Sequence, residues 1–181
     1  MLLQTPLCDF GWKAPSFTLK DLEDRTVSLE SLRGEKGTLL AFICNHCPYV
    51  KAIVSFLVED AKVLQENGIA VAAIMSNDYH DYPEDSPENM KIFAAQHGFT
   101  FPYLLDEDQS VARQYNAVCT PDFFGFDAGL GLQYRGRLDA STARVVPDAR
   151  RELREAMLAV AQGGKGPENQ IASMGCSIKW R

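Results

Sequence analysis

Apolar positions change their period three times in the first half of the chain, and each change marks an element. FTLKDLEDRTVSL (17–29) holds apolar residues on either side of a polar centre, the pattern of a hairpin. GTLLAFI (37–43) is a continuous apolar run, which predicts a strand covered on both faces. From Pro48 the spacing lengthens. Val50, Ile53, Val54, Leu57, Val58, Ala61 and Leu64 share one face of a helix that should end near Asn67-Gly68. IAVAAIMS (69–76) returns to the pattern of a buried strand.

In the second half, Ser86-Pro87 sets a capping residue before a proline suited to the first helical position, and the helix should run to His97-Gly98. A short helix around Gln109–Tyr115 follows. DFFGFD and LQYRGRL, within 122–138, read as two strands joined by a glycine-containing turn. Leu153, Ala156, Met157 and Val160 stripe a last helix, which GGKGP (163–167) breaks. The order β-β-β-α-β-α-α-β-β-α predicts one α/β domain over 1–181, with helices packed on a central mixed β-sheet. Within it, 14–36 is an N-terminal hairpin region, 37–162 the core and 163–181 a C-terminal tail. The strand–helix–strand unit at 37–76 must be parallel and right-handed. That places Cys44 at the carboxyl edge of its strand, where open α/β sheets carry their sites.

Composition narrows the partners. The chain has 181 residues, 46% apolar and 23% charged, with a net charge of −6. An acidic balance with no basic patch argues against nucleic acid. No run approaches the ~18 apolar residues of a membrane span. The start, MLLQTPLCDFGWKAP, has neither the basic nor the apolar region of a signal peptide, so the cytoplasm is the expected location. Thiols there are kept reduced, so the five cysteines (8, 44, 47, 119 and 176) should not form a static disulfide framework.

FICNHCPYVKAI (42–53) carries the candidate chemistry. Haem attachment needs a histidine where Pro48 stands. A structural zinc site needs four ligands, and Cys8, Cys119, Cys176, His80 and His97 are scattered singly, so no metal is expected. Two buried cysteines acting as small apolar side chains are the plainer alternative. The reading with a mechanism is a redox dithiol. Cys44, at or just before the first helical turn, would be ionised by unpaired N–H groups and the helix dipole. Protonated His46 would help, moving the thiol from ~8.5 toward ~3.5–7.5. Cys47 would be the more buried, resolving sulfur. Asn45, His46 and Pro48 tune the pair, and Pro48 loses nothing at the first turn. The dithiol carries the electrons itself, so no cofactor is implied.

Cys119-Thr120-Pro121 leads into the strand DFFGFD. Together with C-x-x-C it resembles the thioredoxin superfamily, where such a motif at a helix start faces a proline loop that holds the substrate. More narrowly, the chain resembles the peroxiredoxin-related alkyl hydroperoxide reductase/thiol-specific antioxidant group. APSFTLKDLEDRTVSL, FICNHCPYVKAI, SNDYHDYPEDSPENM, FPYLLDEDQSVARQY, TPDFFGFD, YRGRLD and GCSIKW carry the likeness in order across most of 14–180. The resemblance implies a thioredoxin-like fold and thiol–disulfide exchange, with Cys44 as nucleophile, Cys47 resolving, and Thr120 and Pro121 lining the substrate groove. Partners would be protein or small-molecule thiols and disulfides, with thioredoxin or glutathione as external reductant. The alternative is a peroxiredoxin-like thiol peroxidase with antioxidant activity. The peroxidase pattern P-x-x-x-[ST]-x-x-C is absent in both registers: Ala41 and Gly37 precede Cys44 at its places, and Cys44 and Leu40 precede Cys47. A thiolate lacking donors for the peroxide should be slow with it. A histidine directly before the second cysteine resembles disulfide isomerases and oxidases, which implies a more oxidising pair than thioredoxin.

Single residues remain. Cys176, near the end of the tail, is either an apolar plug docking with Ile178 and Trp180 or a third redox thiol folded over Cys44. Cys119 reads as a small core side chain and Cys8 as incidental. DYHDYPED (78–85) reads as a solvated acidic loop on the active-site edge, with partner screening or a cation site as lesser readings.

Overall fold

The computed structural model describes residues 1–181. The central sheet is built from the two longest apolar runs. β4 (Gly37–Phe42) and β5 (Ile69–Met75) pair in parallel, joined by α2 (Pro48–Glu66). β1 (Leu2–Gln4), β2 (Thr18–Lys20), β3 (Thr26–Ser28) and the single-turn α1 (Leu29–Leu32) precede them. α3 (Pro87–His97), β6 (Tyr103–Leu105), α4 (Ser110–Tyr115), β7 (Cys119–Thr120), β8 (Asp122–Phe126), β9 (Leu132–Tyr134), α5 (Glu152–Gly163) and β10 (Met174–Ser177) follow. The seven-stranded sheet runs β3-β2-β6-β5-β4-β8-β9, with β4, β5 and β6 parallel and the others antiparallel to their neighbours.

Alternation along β4 divides the core. Leu39, Ala41 and Ile43 face a layer with the apolar stripe of α2, Met90 and Phe93 of α3, and Leu153, Met157 and Val160 of α5. Leu40 and Phe42 face the opposite layer, with Leu29, Val111, Tyr115, Phe124 and Phe126. Each fully buried aliphatic side chain contributes about 1.5–3 kcal/mol. The caps agree with the sequence: Ser86 accepts from Asn89 N–H, and Gly98 closes α3 at φ 66°.

The expected hairpin, the strand–helix–strand unit and the helices at 87–97, 110–115 and 152–163 are all present. The β9 strand is shorter than LQYRGRL, and four short strands, β1, β6, β7 and β10, were not expected. Three of them form a second sheet, β1-β10-β7. The tail is therefore paired structure, with Ile178 buried, while Trp180 stays exposed under the Arg113 guanidinium, 4.5 Å from its ring. No helix is long and apolar enough to cross a membrane.

Candidate functional site

β4 ends in the apolar run, and Cys44 follows at its carboxyl edge. The next three residues bend before Pro48 opens α2, so Cys47 is the helix N-cap residue. This corrects the expectation for Cys44: the helix start and its dipole favour Cys47, and Cys44 lies a turn further out. Both sulfurs are buried, and all five cysteines are free thiols.

The proline loop meets this turn as expected. The Thr120-Pro121 peptide is cis. The Thr120 hydroxyl lies 3.5 Å from Cys44 Sγ, and the Thr120 carbonyl oxygen lies 3.3 Å from Cys47 Sγ. One residue thus presents a donor to one sulfur and an acceptor to the other.

Asp85 was hidden in the acidic stretch. Far from being solvated, it is fully buried, and its Oδ1 accepts the Asn45 N–H at 2.8 Å while Oδ2 accepts from Asn77 Nδ2 at 2.9 Å. Asn45 is clamped as well: its amide donates to the Glu84 carbonyl at 3.1 Å and accepts from the buried Tyr103 hydroxyl at 2.8 Å. The C-x-x-C turn is therefore held by side chains from the loop after β5 and from β6. The readable signal was position alone, because the loop after β5 opens on the same sheet edge as Cys44.

His46 Nδ1 lies 2.7 Å from Asp85 Oδ2, an ion-pair distance outside the angular range of a hydrogen bond. Its ring stacks on Tyr82 at 6.0 Å. The histidine's charge therefore serves Asp85 first, and contact with Asp85 raises the His46 pKa. A raised histidine pKa means stabilisation that is complete below the unfolded value of ~6.5 and lost as pH rises through the folded one. The stability advantage of wild type over His46→Gln, read as the urea midpoint, is expected to narrow from about pH 5.5 to about pH 8.5. A constant or widening gap would contradict the ion pair.

The two site thiols share a proton. Cys44 is held well above the ordinary range by the bond its thiol makes to Cys47, then by burial and the Asp85 carboxylate. Cys47 is drawn down to about 4, by the Cys44 thiol above all, against burial and with help from Thr120 and Cys176. The Thr120 carbonyl pulls the other way, since it accepts only from a protonated Cys47. A full carboxylate charge outweighs a carbonyl dipole, so the thiol rests on Cys44 and the thiolate on Cys47. This reverses the expected ionisation.

Cys44, His46 and Asp85 bring three donor atoms within 4.8 Å of one another, one short of a tetrahedral zinc set, and Asp85 is already occupied by two amides. Cys119 is a buried core thiol, as expected, with its sulfur 3.7 Å from the Pro121 carbonyl. Cys8 is partly buried, its thiol pushed up to about 11 by that burial. β10 lies along β7 with Cys176 opposite Thr120, so the strand edge expected to line the substrate groove is paired by the chain's own tail. An open cavity of about 200 Å³ persists beside Pro121, flanked by Tyr49, Ile53 and Leu138.

Comparison with known proteins places this arrangement. A solved structure of an uncharacterized conserved protein from Geobacillus kaustophilus is 43% identical and superposes with a TM-score of 0.95, covering 100% of this chain and 97% of that one. The thioredoxin domain of a thiol-disulfide oxidoreductase from Bacteroides vulgatus, 19% identical, superposes with a TM-score of 0.60 over 70% of this chain and 86% of its own, which shows a thioredoxin-like fold. The thiol-disulfide oxidoreductase ResA of Bacillus thuringiensis is 24% identical over 144 residues, 76% of this chain and 79% of that protein. The model of the AhpC/TSA family matches residues 10–138, and the chain belongs to that family.

Proposed function

We propose that the protein is a thiol–disulfide oxidoreductase whose working couple is Cys44 and Cys47. The observation that carries this reading is Thr120, whose hydroxyl and carbonyl meet the two sulfurs at 3.5 Å and 3.3 Å. The ResA similarity supports the same class. Protein or small-molecule disulfides are the substrates, and a thioredoxin- or glutathione-type thiol the reductant.

At rest the proton lies on Cys44. Its transfer to Cys47 creates the attacking form: the Thr120 hydroxyl donates to the Cys44 thiolate, and the Cys47 thiol donates to the Thr120 carbonyl. Cys44 attacks one sulfur of the substrate disulfide and the other leaves as a thiolate, which takes the Cys47 proton. Cys47 then attacks Cys44 Sγ, closing the bridge and releasing the second substrate sulfur as a thiolate, which takes its proton from water. Asp85, Asn45 and Tyr103 are positioning residues that hold the turn. A stabilised Cys47 thiolate favours the reduced pair, so the midpoint against glutathione is expected to lie above about −270 mV, the thioredoxin value.

Covalent trapping tests the roles. Reduced Cys47→Ser, mixed with an aromatic disulfide, is expected to accumulate an adduct on Cys44. Reduced Cys44→Ser is expected to leave none on Cys47 by the same time. Rapid adduct formation on Cys47 alone would exchange the roles, and none on either sulfur would end the proposal. Peroxide is disfavoured because Arg135 and Arg137, the guanidinium groups of the YRGR segment, are committed to Asp122 and Glu152.

A further inference from the structure

The tail places a third sulfur against the couple, and its approach is built into the sequence. β10 is the middle strand of the small sheet, with Cys176 opposite Leu2 on one side and opposite Thr120 on the other. Gly175 makes that approach possible: a Cβ there would lie 1.9 Å from the Thr120 carbonyl oxygen. Beyond the strand, Lys179 N–H donates to Asn77 Oδ1 at 2.9 Å, and Asp78 N–H donates to the Lys179 carbonyl at 2.8 Å. The loop that carries Asp85 thus also anchors the tail. Cys176 packs against the core layer that contains Cys44 and Cys47, and it lies opposite Thr120, the residue whose carbonyl meets the Cys47 sulfur at 3.3 Å. Cys44 and Cys47 are buried, whereas Cys176 is partly exposed.

We propose that Cys176 is a third redox cysteine, which takes the bridge from Cys44–Cys47 to Cys47–Cys176 and delivers it to an external dithiol reductant. The proposal rests on the exchange reading above. In the transfer, the Cys176 thiolate attacks Cys47 Sγ. The Cys47–Cys176 bond forms as the Cys44–Cys47 bond breaks, and Cys44 leaves as a thiolate that takes up the proton given by Cys176. No electrons enter or leave in this step. A dithiol reductant then attacks the partly exposed Cys176, becomes a cyclic disulfide and returns Cys176 and Cys47 to thiols. Burial, followed by the neighbouring Cys47 thiolate, keeps the Cys176 thiol at about 11 in the reduced protein. Closing the Cys44–Cys47 bridge removes that neighbouring charge, so the third thiol is released for attack only when there is a bridge to receive it.

The full chain carrying Cys44→Ser, treated with oxidised glutathione and mapped by peptide mass, tests this. Adjacent sulfurs react at high effective concentration. A Cys47–Cys176 cross-link is therefore expected to exceed the Cys47–glutathione adduct by on the order of 100-fold, with Cys8 and Cys119 still free. A dominant glutathione adduct on Cys47 with free Cys176 overturns the proposal. Should Cys44→Ser not fold, Cys44→Ala treated and mapped in the same way gives the same answer. In either outcome a Cys44–Cys47 bridge in the wild type keeps the exchange function intact. Absence of any bridge removes both.

Discussion

Arg135→Met is expected to destabilise the protein by about 3–5 kcal/mol, because it strands a buried carboxylate. Arg135 Nη2 lies 3.0 Å and Nε 3.3 Å from the two oxygens of Asp122, and Nη2 also donates to the Asn116 carbonyl at 2.9 Å. Its guanidinium sits 4.3 Å from the Phe124 ring centre. Asp122 also accepts from Val118 N–H at 3.1 Å, so the pair ties the segment bearing Thr120 to the end of β9. Thermal unfolding should fall by on the order of 10 °C. The deficit should shrink as pH falls, since protonation of Asp122 removes the stranded charge. The double variant Arg135→Met/Asp122→Leu should recover much of the loss, and an unchanged melting temperature in the single variant would show the pair to be dispensable.

The second large effect falls on turnover. Cys44→Ser and Cys47→Ser are each expected to lower catalysed disulfide reduction by about 1,000-fold or more, because each removes an obligate covalent partner of the cycle. Insulin reduction with a coupled reductant reads this directly. The two losses should be non-additive, with the double variant no worse than either single one. Retention of more than about a tenth of the rate by either variant would place the chemistry on other sulfurs.

What could be read in the sequence followed from length and period. β4, α2 and β5 carry six, nineteen and seven residues of consistent pattern, and they fixed the sheet edge on which Cys44 lies. β7 and β10 have two and four residues, too few for a period, and they pair only because Gly175 lets the tail reach Thr120. Asp85 read as solvent-facing because its neighbours are acidic. Its burial is decided by Asn45 and Asn77, which are distant or unremarkable in the sequence. Asp60 interrupts the apolar face of α2, and its Oδ1 accepts from Arg151 Nη2 at 2.6 Å, a partner supplied by the N-cap residue of α5. That Cys44 and Cys47 lie together at the strand–helix junction, facing the Thr120-Pro121 loop, was legible from spacing and motif. Their ionisation was not, because it turns on a helix that starts at Pro48 and a carboxylate brought in from another loop.

The most direct test of the central claim is a glutathione redox titration, quenched by alkylation and mapped by peptide mass. The account predicts a single two-electron transition in which Cys44 and Cys47 lose reactivity together and their peptides become joined to each other. Both thiols staying open to alkylation at the oxidising end of the titration would contradict it.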